Sequence, residues 1–212
     1  MEKTVLTVCG EYASEKIIEK SRFLTYSAHV EGEEEARAFI AKIRSAHTLA
    51  THCCYAFIAD KLGNLQRFSD DGEPQGTAGV PILEVLKNKK LFETAVAVVR
   101  YFGGVKLGAG GLVRAYSSSA AENLADADIR SLEMCSELLI EVEYTGVDGV
   151  QKYLSLRPCS LLSTDYGEKV TFTLAVKKAE ETAFIDGLID YMQGKVQTQK
   201  KSEYYAAFKI QS

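Results

Sequence analysis

Residues 95–124 read AVAVVRYFGGVKLGAGGLVRAYSSSAAENL, and three textures follow one another within them. Ala95 to Phe102 is a short apolar run rich in valine, the pattern of a strand buried on both faces. Gly103, Gly104, Gly108, Gly110 and Gly111 then crowd a loop. From Leu112 to Leu124 the side chains of Leu112, Ala115, Tyr116, Ser119 and Ala120 recur along one side of a helix. Buried strand, glycine loop and helix in succession set the chain in a mixed α+β class.

Upstream, Val5, Leu6 and Val8 suggest a strand, and Ile17–Ile18 and Phe23 to Val30 two more. The segment EEEARAFIAKIRSAH (33–47) spaces Ala36, Phe39, Ile40 and Ile43 as a helix, with acid in its first turn and base in its last, as the helix dipole favours. His52 to Ala59 and Leu65 to Phe68 read as strands around a turn at Gly63–Asn64. SDDGEPQGTAGVP (69–81) is dense in turn formers and precedes a helix expected over 82–91. Downstream, Asp126, Asp128, Glu133, Glu137, Glu141 and Glu143 surround a single base, Arg130, which reads as an exposed connection. Beyond it come a strand (138–144), a helix (147–156), strands (159–165 and 169–176), a helix (179–192) and a last strand (196–210). That order, β-α-β-β-α-β, is the split βαβ or ferredoxin-like signature. Two domains are expected, 1–136 and 137–212, with the boundary near Ser136.

Composition narrows the class further. The 212 residues carry a net charge of −4, with 46% hydrophobic and 25% charged residues, a globular balance that excludes disordered and collagen-like chains. A membrane helix needs about 20 apolar residues in a row. The most apolar stretch, Thr94 to Val113, is broken by Arg100 and Lys106, and the amino terminus lacks the h-region of a signal peptide. The five cysteines, Cys9, Cys53, Cys54, Cys135 and Cys159, form no CxxC pair and no zinc spacing with histidine. A cytoplasmic protein without membrane contact, metal or cofactor is expected, with Cys53 and Cys54 on opposite faces of one strand.

Three groups of residues carry chemistry. The glycine cluster, between a strand and a helix, can turn the chain tightly or present backbone N–H groups to phosphate. It matches neither GxxxxGK[ST] nor GxGxxG. Lys87, Lys89, Lys90, Arg100, Lys106 and Arg114 are opposed between 85 and 116 by Glu93 alone, a basic zone in an acidic chain. Arg100, at the strand end, Lys106, in the loop, and Arg114, one turn into the helix, are expected to converge on one anion. Asp70, Asp71 and Glu73 could bind a cation or act as a general base, or serve as turn and capping residues. His52 and Cys54 share one strand face, yet a Cys–His pair needs contact, and no third orienting residue can be named.

THCCYAF (Thr51–Phe57), RFSDDGEPQGTAGVPIL (Arg67–Leu83) and VVRYFGGVKLGAGGLVRAY (Val98–Tyr116) resemble, in order, the signature segments of the IMPACT/YigZ family. The likeness extends through the ferredoxin-like unit and so covers nearly the whole chain. It implies an amino-terminal domain with the ribosomal-protein-S5-domain-2-like fold and a carboxy-terminal domain similar to the last domain of elongation factor G. In that factor, consecutive domains of these types meet ribosomal RNA. No RWD-type extension is seen at the amino terminus, so the contact that eukaryotic members make with a translational-control partner is not expected to transfer. The resemblance implies a translation-associated regulatory protein, more binder than enzyme, whose partners are RNA, the ribosome or a translation factor. Two other readings stay open. One is a phosphate- or nucleotide-dependent enzyme or hydrolase using the glycine loop and Asp70, Asp71 and Glu73, since S5-like folds also serve small-molecule kinases. The other is an adaptor docking a partner on its acidic carboxy-terminal domain.

Overall fold

A computed structural model describes residues 5–209. The chain divides into two compact units, one formed by residues 5–131 with 207–209, the other by Leu132–Ala206.

The first unit is built on a five-stranded antiparallel sheet in the order β2-β3-β6-β4-β5. Its strands are β2 (Glu11–Ile18), β3 (Ser21–His29), β4 (His52–Ile58), β5 (Gln66–Ser69) and β6 (Thr94–Tyr101); the short strand β1 (Val5–Val8) precedes them and is not part of this sheet. β6 is central and buried from Thr94 to Arg100, as its valine-rich run predicts. Helix α1 (Gly32–Ala46) covers one face, packing Ala36, Phe39, Ile40 and Ile43 on Cys53, Phe57, Ala95, Ala97 and Val99. Helices α2 (Gly79–Asn88) and α3 (Gly108–Asp126) cover the other through Ile82, Leu86, Leu112, Ala115, Tyr116 and Leu124. Cys54, Ala56, Val96 and Val98 meet them there. Adjacent Cys53 and Cys54 thus enter different cores, as strand alternation requires.

The second unit contains most of β7 (Ile129–Val142), then α4 (Val147–Ser155), β8 (Ser160–Tyr166), β9 (Val170–Lys177), α5 (Glu181–Tyr191) and β10 (Gln197–Lys209). β7 lies between β10 and β9, and β8 flanks β9, so the four strands stand in ferredoxin-like order. Leu138, Ile140, Phe172 and Leu174 meet Val150, Tyr153, Phe184 and Leu188 from the helices. One expectation is corrected here. The acidic stretch before Leu138 is no exposed connection: β7 runs unbroken from Ile129, burying Leu132, Cys135 and Ser136. Its acids occupy the alternate, outward positions and meet lysines, Glu133 with Lys177, Glu137 with Lys201 and Glu141 with Lys169. Acids spaced four residues apart on a strand read as a loop when several of the buried residues between them, here Cys135 and Ser136, are small.

Candidate functional site

Cross-strand register assembles the site. Arg100 on β6 stands opposite Phe23 on β3 and His52 on β4, so the three share one row of the sheet. The face of that row is the one covered by α3, which brings Tyr116 edge-on to Phe23 with centroids 5.4 Å apart. Into the same space the turn after β5 sends Glu73. Its Oε1 accepts from Arg100 Nη1 and from the Tyr116 hydroxyl, both at 2.7 Å. Arg100 and Glu73 are 5% and 8% exposed, and the guanidinium lies over the Phe23 and Phe102 rings. The arrangement is a buried, charge-assisted hydrogen-bonded pair clamped between aromatic rings. Burial, with the neighbouring Cys54 and Glu73, pushes the Tyr116 hydroxyl far above its ordinary pKa, so it stays a donor.

The acidic turn is committed within the fold. Asp70 Oδ1 accepts from the Ala78 and Gly79 N–H groups and Oδ2 from Gly76. Asp70 therefore caps α2 from eight and nine residues upstream, where Ala78 at the cap has no side chain able to do so. Burial tends to raise the Asp70 pKa, but these three backbone donors prevail and hold it below the ordinary aspartate value. The ionised form thus stabilises the turn above the ordinary aspartate range, and the contribution fades as pH falls through the lowered value. Asp71, with φ +44°, accepts from the Cys53 N–H through Oδ2 and from Arg44 Nη2 through Oδ1. His52 Nδ1 donates to the Asp71 carbonyl at 2.8 Å, which leaves Nε2 facing Glu73 Oε2 at 3.8 Å. Cys54 Sγ donates to the Asp70 carbonyl, and burial drives its thiol pKa up, so the group is no ready nucleophile. No hydrogen bond joins His52 to Cys54 among the described residues.

The glycines divide by role. A Cβ on Gly103 would lie 2.0 Å from the Lys20 carbonyl oxygen, so that position exists for close backbone approach. Gly104 and Gly108 have φ of +86° and +67° with open space around them. Gly110 and Gly111 open helix α3, whose first turn carries no acid and whose cap residue, Leu107, gives no side-chain bond. Lys106 and Arg114 are exposed and line one cleft of about 600 Å³ together with Lys16, Glu19 and Gly111. Lys16 is paired there with Glu122, while Lys106 and Arg114 have no ion-pair partner among the described residues. Arg100 is not among the residues lining that cleft; its guanidinium is turned inward to Glu73. The structure therefore joins Arg100 to the acidic turn, and Lys106 and Arg114 to each other. Tyr116, Lys16 and Arg44 escaped sequence reading, since only the packing of α3, β2 and α1 brings them to these places.

Fold and site define a protein that joins a helix-covered antiparallel sheet, with a basic glycine loop, to a ferredoxin-like unit. Residues 19–124 match the family model for the Impact N-terminal domain, and residues 140–195 match a domain of unknown function, DUF1949. The chain is 40% identical to IMPACT family member YvyE of Bacillus subtilis, over 88% of this chain and 85% of that one. It is 36% identical to IMPACT family member YigZ of Escherichia coli, over 85% and 89%. A solved structure described as that of a hypothetical protein aligns with a TM-score of 0.61 and 32% identity, covering 95% of this chain and 99% of that one. The chain belongs to the IMPACT family. Among the described residues, no helix is long and apolar enough to cross a membrane.

Proposed function

We propose that the protein is a translation-associated regulatory protein that binds RNA, free or within the ribosome, through its glycine loop. The observation that carries this reading is the cleft where Lys106 and Arg114, both without an ion-pair partner among the described residues, flank the start of α3, which has no side-chain cap. Free N–H groups and the positive end of the helix dipole favour phosphate at such a place, and two cations add to that field. The open space around Gly104 and Gly108 lets a nucleic-acid backbone approach the main chain closely. Arg100 acts differently: it fixes the strand end from which the loop departs. Membership of the IMPACT family supports the link to translation.

Phosphate contacts of this kind weaken with salt because each neutralised phosphate releases counterions. Lys106→Glu should fold with an unchanged melting temperature yet bind a ribosomal RNA fragment and intact ribosomes more weakly. The slope of log affinity against log salt should become shallower by about 1. Unchanged affinity and slope in the folded variant would remove the loop from the interface.

A further inference from the structure

At the end of β6 opposite Arg100, roughly 20 Å away along the strand, a second polar cluster lies outside the site described above. His29 closes β3 and stands opposite Thr94, the first residue of β6. Glu31 follows His29 as the cap residue of α1, and Glu93 immediately precedes Thr94. Donor atoms of His29, Glu31 and Glu93 all lie within 4.8 Å of one another.

Three features make this more than a gathering of acids. Glu93 is 4% exposed; Lys61 holds its Oε1 at 2.8 Å, while its buried Oε2 has no hydrogen-bond partner among the described residues. A buried carboxylate oxygen left in that condition calls for a cation, a proton or water. The Thr7 hydroxyl, whose single proton goes to the Glu93 carbonyl, sits 2.8 Å from His29 Nδ1. With Nδ1 turned to the Thr7 hydroxyl, Nε2 is the ring nitrogen that faces Glu31 Oε1, at 3.3 Å. That gap takes either a proton on Nε2 or a metal cation between the nitrogen and the carboxylate. The Thr7–His29 bond is also the outer-shell contact that orients metal-binding imidazoles. Finally, Glu31 caps α1 without using its side chain, and Glu35 Oε2 holds its backbone N–H, so the carboxylate is free to face His29.

We propose that His29 Nε2, Glu31 and Glu93 form a binding site for one divalent first-row transition ion, with zinc the ion the donor set suits best. Zinc takes nitrogen and carboxylate oxygen at about 2.0–2.2 Å, which puts two tetrahedral ligands about 3.4 Å apart. The His29–Glu31 separation already matches, and a small side-chain adjustment brings in Glu93. Water completes the tetrahedron. Sequence reading passed over the site because His29 and Glu93 lie 64 residues apart in the chain, without the short Cys/His spacing of zinc motifs.

Calorimetric titration of the full chain with zinc chloride tests the proposal, with cobalt absorption as the second probe. One ion per chain should bind, and the cobalt complex should show d–d bands without thiolate charge transfer, separating this site from the five cysteines. Glu31→Gln, on an exposed side chain that leaves the fold intact, and His29→Gln should each lower affinity at least tenfold. Asp70→Asn should leave it unchanged. Absence of saturable binding, a thiolate band, or a loss under tenfold in either ligand variant would overturn the site and leave Glu93 Oε2 to water.

Discussion

At the scale of single residues, the pairing of Arg100 with Glu73 is the feature with the largest consequence. Both are buried, and the Arg100 Nε finds no partner, so Glu73 supplies the only carboxylate on this guanidinium among the described residues. Removing one partner of such a pair leaves an uncompensated charge and costs about 3–5 kcal/mol. Glu73→Ala should accordingly lower stability in urea by about that amount, whereas Glu73→Ala combined with Arg100→Leu should recover part of the loss. A single variant as stable as the parent would mean that water or another acid compensates Arg100. The residue types in SDDGEP were legible as a turn or a site. Which carboxylate capped α2 and which met Arg100 was not, because those partners lie nine and twenty-seven residues away.

Among the elements, the glycine loop shows that neighbouring glycines serve different ends. Gly103 lies against the Lys20–Ser21 backbone and donates its N–H to Ser21 Oγ at 3.2 Å. Gly104 is needed for its left-handed backbone alone. Gly103→Ala should therefore force β6 from β3 and lower the melting temperature sharply. Gly104→Ala should cost only about 1 kcal/mol, the penalty of a side chain at positive φ. Equal losses in thermal unfolding would contradict this division. Periodicity located α1, α3 and β6 well, since each has one strongly patterned apolar face. It failed at β7, where Ser131, Ser136 and Cys135 are buried yet carry little apolar signal.

For the molecule as a whole, β7 determines where the second unit begins. Cys135 and Ser136 pair with Lys177 and Val176 on β9, and Leu132 is buried. We propose that a fragment of residues 132–206 folds cooperatively as a ferredoxin-like unit, and that one starting at 137 is measurably less stable. Urea unfolding of the two fragments checks this, and equal midpoints would show that residues 132–136 of β7 add nothing. The ion pairs of Glu133, Glu137 and Glu141 with lysines also leave less free acid for an adaptor role than the sequence suggests.

The amino-acid sequence by itself determined the class of fold, the order of nearly every element and the family resemblance. These depend on local patterns of apolar spacing, turn formers and long contiguous motifs. It also singled out Lys106 and Arg114, because loop and helix lie next to each other in the chain. Tertiary structure alone decided that Arg100 turns inward to Glu73, that Asp70 caps a helix it does not belong to, and that donor atoms of His29 and Glu93 come within 4.8 Å of each other. Each depends on cross-strand register and on which helix covers which face. Hydrophobic burial over the whole chain sets those two quantities, and no window of sequence contains them.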